Sequence, residues 1–408
     1  MRPRGRRKLC HVLLLIALIL VAADTVFVFN RVSLHVSIST TFPDLQPRRN
    51  ERIFIASIHW NSAKILKSHW NDAVMSLIRH LGPENVYVSI LESGSWDDTK
   101  EALRALDAQL EHLGVGRTIL LENATHKDEL AKVPSPDDTG YVLSPEGTRE
   151  LRRIPYLARL RNRVMSEILH AAKSQGRDFA KVLWLNDVAF RAEDAIAVLS
   201  TNDGHYAAAC SLDFSEPPLY YDTFALRDDH GRKTVSQVWP YFYPGKSYGA
   251  LLAGKPVPVQ SCWNGLVAMD AAPFQETDAL HFRGIPDSLS QLHLEASECC
   301  LIHVDNPLTA SKGVWLNPSV RVGYTGEAYA AVNPNATWPS MREAVLGLWK
   351  ARLGVGGATW KHFWEQWTVQ SRIRRWKARS QDTMVEERGV NCIVNEMQVL
   401  AANGWKHV

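Results

Sequence analysis

The chain has 408 residues, 46% hydrophobic and 22% charged, with 24 Gly, 20 Pro and 6 Cys. That balance fits a folded globular protein and excludes collagen-like, mucin-like and largely disordered chains, and six cysteines in this length exclude a disulfide scaffold. The formal charge of +3 is local, because Arg2, Arg4, Arg6, Arg7 and Lys8 are five of the 46 basic residues and the remaining 41 face 43 acidic ones; no polyanion-binding surface and no nucleic-acid partner is expected.

After the basic tail (1–8), residues 9–29 form an apolar run broken only by His11, Asp24 and Thr25. At ~1.5 Å per residue it covers about 30 Å, the thickness of a bilayer core. The reading is a retained signal anchor with the tail cytosolic and the rest lumenal; cleavage after the small residues Val21-Ala22-Ala23 is the alternative. Residues 30–50, with Pro43 and Pro47, read as a stem. Asn123-Ala124-Thr125 and Asn335-Ala336-Thr337 are sequons that a lumenal domain would carry glycosylated on Asn123 and Asn335. Five cysteines lie beyond the anchor, enough for two disulfides and one free thiol, with Cys299 and Cys300 bridging to separate partners rather than to each other.

Strands and helices then alternate. Ile53–Ile58 reads as a strand, 63–81 as a helix stopped by Gly82-Pro83, and Val86–Leu91 as a second strand. Asp97-Asp98-Thr99 caps a helix with Ala102, Leu103, Leu106, Leu110 and Leu113 on one face. Thr118–Leu121 is a third strand, 123–147 a long loop, 154–172 a helix and Lys181–Leu185 another strand. This order predicts an α/β fold, a mostly parallel sheet covered on both faces with ligands at the strands' carboxyl ends. From Tyr206 onward the pattern is irregular and rich in Pro and aromatics, as substrate loops are.

The chemistry sits at strand ends. Glu92, in Leu91-Glu92-Ser93-Gly94-Ser95, can accept hydrogen bonds from a nucleoside, and the Ser-Gly-Ser turn permits close approach. Arg161, in Leu157-Ala158-Arg159-Leu160-Arg161-Asn162, precedes Leu183-Trp184-Leu185-Asn186-Asp187. This order resembles the nucleotide-sugar transferases of GT-A type, in which a leaving diphosphate needs a cation and a guanidinium beside it. Asp187 is the expected metal ligand and Asn186 the contact to sugar or ribose. Only one carboxylate stands here, so His303, with Asp305 as a further candidate, is expected to complete the site for a divalent metal, Mn²⁺ first. Trp263-Asn264-Gly265 offers an indole face and an amide to a pyranose. Glu298 and Asp222 are the candidate catalytic acids, Arg227 a phosphate contact and Asp228 a sugar contact.

The strand-end acid, the Ala-Arg-Asn-like helix and the acidic motif resemble the GT-A nucleotide-sugar transferases. Trp184–Val188, Tyr221-Asp222-Thr223 with Arg227-Asp228, Ser261–Gly265, Phe282-Arg283-Gly284, Ser297–Leu301 and Asn317–Val320 resemble the fungal capsule-type (cryptococcal) α-1,3-mannosyltransferase family, over most of 53–324. The resemblance implies a GT-A-type Rossmann-like domain at 51–330 and a single-pass type II Golgi protein. It also implies transfer of mannose from GDP-mannose with retention to a mannan or capsule-type glycan. Another sugar-nucleotide donor, and a noncatalytic glycan-binding or scaffold subunit, are the alternative readings.

Residues 331–408 read as an aromatic, helical extension. Trp360, Trp364 and Trp367 share one helical face, expected to point into a core, and Arg372, Arg374, Arg375, Lys377 and Arg379 are expected on a solvated face. Gly245-Lys246-Ser247 is no P-loop, because Pro240 stands where its first glycine belongs.

Overall fold

The computed structural model describes residues 11–24, 26–27, 30, 51–135, 137–144, 147–176, 178–335, 337–379 and 386–408. The stem at 31–50 and the basic tail lie outside the described residues, as do parts of the apolar run. Within that run 11–24 is helical with its leucines exposed. Among the described residues no helix is long and apolar enough to cross a membrane.

The strands are β1 (Ile53–His59), β2 (Val86–Glu92), β3 (Gly116–Leu121), β4 (Tyr141–Leu143), β5 (Arg149–Leu151), β6 (Lys181–Leu185), β7 (Ala208–Glu216), β8 (Leu219–Tyr220), β9 (Val257–Val259), β10 (Leu266–Asp270), β11 (Glu295–Ala296), β12 (Val314–Gly323), β13 (Ile393–Val394), β14 (Gln398–Ala401) and β15 (Gly404–His407). The helices that matter below are α1 (Asn71–Leu81), α2 (Thr99–His112), α3 (Arg153–Met165), α4 (Ala192–Leu199), α5 (Glu298–Asp305) and α6 (Met341–Arg379). The fold is mixed α/β around one large sheet ordered β3-β2-β1-β6-β10-β7-β12-β9, with β8 beside β7. It is parallel from β3 to β6 and again between β7 and β12, while β10 runs antiparallel between the two blocks.

The strands predicted at 53–58, 86–91, 118–121 and 181–185 are all present. Their near-continuous apolar runs suit burial on both faces. Alternate residues serve opposite faces: Phe54, Ala56, Val182 and Trp184 pack in one core cluster, and Ile53, Ile55, Leu183 and Leu185 in the other. α1, α2 and α4 cover the second face through Leu77, Leu106 and Ile196. α3 covers the first through Tyr156, Leu160 and Val164. The long loop holds a short helix at His126–Ala131 and strand β4.

Two cross-links join distant segments, Cys210–Cys262 and Cys300–Cys392, and Cys299 stays free and buried. Cys300 bridges away from its neighbour as expected, whereas Cys299, expected to bridge to a partner of its own, is the free thiol. The aromatic stripe is a correction. Trp360, Trp364 and Trp367 face outward, 64%, 45% and 52% exposed, because α6 buries its other side through Val369, Ile373 and Trp376. Arg374, Arg375, Lys377 and Arg379 are exposed as expected, and Arg372 donates to the His293 carbonyl.

Candidate active site

A cavity of about 700 Å³ gathers residues from distant parts of the chain. Asn186 follows β6, Tyr221–Phe224 follow β8, Arg153 and Arg161 come from α3, Ser297 and Glu298 from the start of α5, and Gln398, Trp405 and His407 from the β14–β15 hairpin. The hairpin is held against α3 by an Arg153–Gln398 hydrogen bond of 2.6 Å and by the Arg153 guanidinium over the Trp405 ring. The cavity therefore draws on both the 51–330 segment and the 331–408 extension that the sequence reading kept apart.

Arg161 sits on the apolar face of α3, in line with Ile154, Ala158 and Met165, all buried. Its Nε donates to Glu298 Oε1 at 3.1 Å, and its guanidinium lies over the rings of Trp263 (4.5 Å) and Trp184 (5.1 Å). Nη1 is buried and has no hydrogen-bond partner. Burial opposes the charge, yet Cys299 and Glu298 outweigh it and hold the guanidinium above its ordinary range. A buried N–H without an acceptor costs roughly 1–3 kcal/mol or more when charged, so an anion entering the cavity would be stabilised there. Glu298 is placed by the Ser297 cap, whose Oγ accepts from Cys299 N at 3.2 Å. Trp263 donates its indole N–H to Asn186 Oδ1 at 3.1 Å, which fixes the ring in the cavity wall.

Opposite them stands a carboxylate pair. Asp222 Oδ1 accepts from Phe224 N (2.9 Å) and Ala225 N (3.0 Å), and Asp222 N donates to Asp213 Oδ1 at 3.1 Å. Asp213 also accepts from Asn264 Nδ2 (2.8 Å) and the Tyr324 hydroxyl (3.2 Å). Burial, then repulsion from Asp222, pushes the Asp213 carboxyl up to about 7, and burial raises Asp222 as well. Asn264 is wholly buried: its Nδ2 donates to Asp213 and to the Asp222 carbonyl, and its Oδ1 is buried without a partner.

Asp187 lines a neighbouring cavity of about 240 Å³ with Asn61, Ser62 and Tyr324; Tyr324 borders both spaces. Burial raises its carboxyl to about 6, against a 3.4 Å hydrogen bond from Ser62 and the Arg161 charge. The expected metal pair is not formed. His303 lies in α5, not in a strand; it is fully buried, bonded to the Cys262 carbonyl at 2.8 Å, and burial lowers its pKa to about 4. Asp305 is taken by Arg283 and Arg388. Among the described residues no group of three or more His, Cys, Asp or Glu could hold a metal ion. His303 and Asp305 therefore do not complete a site with Asp187, whose carboxylate is what this wall offers a divalent cation.

Three further expectations are corrected by saturation. Glu92 is fully buried, accepting from Ser95 N and pairing with Lys100 at 3.1 Å, so it closes its own turn. Gly94 in that turn (φ +73°) approaches the Ala124 carbonyl, not a ligand. Arg227 spends its guanidinium on the carbonyls of Leu226, Asn391 and Cys392, tying the core to the C-terminal segment. Asp228 accepts from His230 N and Arg232 N and pairs with the Arg232 guanidinium at 2.8 Å. The sequon residues Asn123 and Asn335 are both exposed.

Asp213 was missed, although a lone acid inside the apolar run Ala208–Phe214 carries the same signal that singled out Glu92. Tyr324, Trp405 and His407 carried no local signal. They reach the cavity only through the β12 pairing and the C-terminal hairpin.

Comparison with known proteins bears on this geometry. The family model for "Cryptococcal mannosyltransferase 1" matches residues 52–305. Alpha-1,3-mannosyltransferase CMT1 of Cryptococcus neoformans is 27% identical over 277 residues, covering 64% of this chain and 55% of that protein. The chain thus spans about half the length of that curated relative. Among solved structures, the mannosyltransferase PcManGT of Pyrobaculum calidifontis, in complex with GDP-Man and Mn²⁺, aligns over 90% of this chain and 87% of its own at TM-score 0.37 and 11% identity. TarS (1–349) of S. aureus aligns over 74% and 65% at TM-score 0.36 and 10% identity. These structural likenesses are weak, and no residue role is taken from them. The family match covers more than half of the chain, including Arg161, Asn186, Asp222, Trp263 and Glu298, and by it the chain belongs to the cryptococcal mannosyltransferase family.

Proposed function

We propose that this protein is a GT-A-type hexosyltransferase that moves mannose from GDP-mannose to a mannose-containing glycan. Family membership supports the reaction, with retention and an α-1,3 linkage. The single observation that carries the site is Arg161, a buried guanidinium that faces a polar cavity with Nη1 unpaired. In this reading the Arg161 guanidinium binds the diphosphate and stabilises the charge that develops on it as the bond from the anomeric carbon to the phosphate oxygen breaks. Glu298 holds Arg161 in register. Trp263, pinned by Asn186, stacks against the mannose ring.

Retention by same-face attack has the acceptor oxygen form the new bond to the anomeric carbon on the face that the diphosphate leaves, and its proton passes to the departing phosphate oxygen. Burial raises the proton affinity of Asp222, and its carboxylate at the cavity wall accepts a hydrogen bond from a sugar hydroxyl. Asp213 and Tyr324 behind it hold the loop in place. Trp405 and His407 of the hairpin form the opposite wall, where the acceptor glycan would lie. Asp187, at the wall of the neighbouring cavity, would hold a divalent cation together with the donor's phosphates, and the cation would neutralise charge on the leaving diphosphate. Membrane anchoring by the apolar run at 9–29, with the domain lumenal in the Golgi, belongs to the same proposal and is supported by the length and apolarity of that run.

The test is titration of GDP and UDP into the purified protein, with and without Mn²⁺, followed by incubation with GDP-mannose and an α-mannobiose acceptor. GDP preferred over UDP, and a mannotriose whose new linkage is read by NMR, are expected. Preference for UDP would overturn the donor. A folded protein that binds mannobiose but neither nucleotide would replace the enzyme by a glycan-binding subunit. Full transfer by a folded Arg161→Ala protein would remove the site.

A further inference from the structure

α6 is 39 residues long and carries two unlike faces. At about 100° per residue, Leu346, Trp349, Phe363, Trp360, Trp364 and Trp367 fall within an arc of about 100°, while the buried Ala344, Ala351, Val369, Ile373 and Trp376 lie on the other side. Phe363 is 55% exposed, and the three exposed tryptophans contact one another in steps, Trp360–Trp364 at 5.5 Å and Trp364–Trp367 at 5.6 Å between ring centres. Such a patch of large aromatics in water is costly and marks an interaction surface. Two observations identify its occupant. Arg352, at the edge of the same arc, pairs with Asp24, at the end of the apolar helix 11–24. Arg374 and Arg375, exposed on the continuation of the arc, supply positive charge beside the rings.

Tryptophan favours the level of lipid headgroups, where its ring is buried and its N–H stays wet, and basic side chains favour anionic headgroups. We infer that the aromatic face of α6 lies on the bilayer surface, next to the point where the apolar helix leaves it, and so fixes the orientation of the cavity towards the membrane. This inference rests on the anchoring reading above. A second copy of the chain is the competing occupant.

The full chain, with Cys10→Ser to remove the terminal thiol, is labelled with an environment-sensitive fluorophore at Gly356→Cys. Gly356 is exposed on the arc and has open space where a Cβ would stand. Glu101→Cys on α2, also exposed, is the control. Both proteins are incorporated into phosphatidylcholine–phosphatidylserine vesicles with lipids spin-labelled near the headgroup. Several-fold stronger quenching at Gly356 than at Glu101 is expected, and it should fall to the control level when Trp360, Phe363, Trp364 and Trp367 are all changed to Ser. Flotation separates the two readings. A chain that floats with vesicles but is quenched equally at both sites overturns the inference and leaves the anchor standing, and a chain that does not float overturns both. Label–label energy transfer at Gly356 that disappears on dilution with unlabelled chain would give the face to a second copy and also overturn the inference.

Discussion

The two ends of α3 each hold a buried arginine paired with a glutamate from one short segment, yet the two pairs are built differently. Arg152, just before the helix, gives Nε and Nη2 to Glu295 at 3.0 and 2.6 Å, and Nη1 to the Ile285 carbonyl and to Asp287. Arg161, deeper in the helix, gives only Nε to Glu298 and leaves Nη1 without an acceptor. The first guanidinium is saturated by protein and closed from every cavity described; the second stands over aromatic rings at a cavity wall. A saturated buried ion pair holds a structure together, and an unsaturated one has capacity left for a ligand. By the same criterion Arg227, Asp228 and Glu92, all saturated, belong with Arg152.

The contrast can be broken by exchange of roles. Arg152→Ala leaves Glu295 buried and unpaired, and should cost about 3–5 kcal/mol of unfolding free energy, read by urea denaturation. A loss below 1 kcal/mol would show that Arg152 is not the structural member of the pair. Arg161→Ala should weaken GDP binding by about 10–100-fold, the equivalent of about 1.4–2.8 kcal/mol for a charged hydrogen bond. Titration calorimetry on protein verified as folded measures it, and Arg152→Ala protein that refolds should bind GDP as the parent does.

The carboxylate side of the cavity sharpens the contrast through pH. Because the Asp213 carboxyl rises in the fold to about 7, its contribution to stability is fully present below its ordinary value of about 3.9. That contribution is lost as pH rises through 7. An Asp213→Asn protein cannot ionise there, so it should gain on the parent steadily between pH 4 and 8 in thermal unfolding. Parallel pH profiles would remove the strained-carboxylate account. The smallest effect concerns Cys299, which touches Glu298 Oε1 at 3.4 Å. Burial pushes its thiol well above the usual range, so it should resist iodoacetamide at pH 8 in the native protein and react on unfolding. Rapid native alkylation, read by mass spectrometry, would place it at an open surface instead.

Much of the parallel block was legible in sequence, because a strand buried on both faces needs a continuous apolar run and the helix after it a 3.6-residue stripe. Both are local patterns. The site was legible only as a pool of candidates. Arg161, Asn186, Asp222, Trp263 and Glu298 line one cavity, whereas Glu92, Arg227 and Asp228 are consumed by neighbours and Asn264 and His303 are buried away from it. His303 illustrates the reason. In Leu301-Ile302-His303-Val304 nothing local says that Cys262, brought close by the packing of α5, will accept its ring nitrogen. The tryptophans of α6 make the same point in reverse, since helical spacing puts them on one face and cannot say whether that face is covered.

What the sequence by itself determined is the strands and helices of the parallel block, the cysteines available for cross-linking and the family to which the chain belongs. All of these follow from residue types and spacings within a few turns of chain. Only the tertiary structure decided which polar groups are already satisfied. Glu92 and Asp228 are met by neighbours a few residues along the chain. But Arg152 finds Glu295 and Arg161 finds Glu298 more than a hundred residues away, and a hydrogen bond made or missing at that range leaves no trace in local spacing.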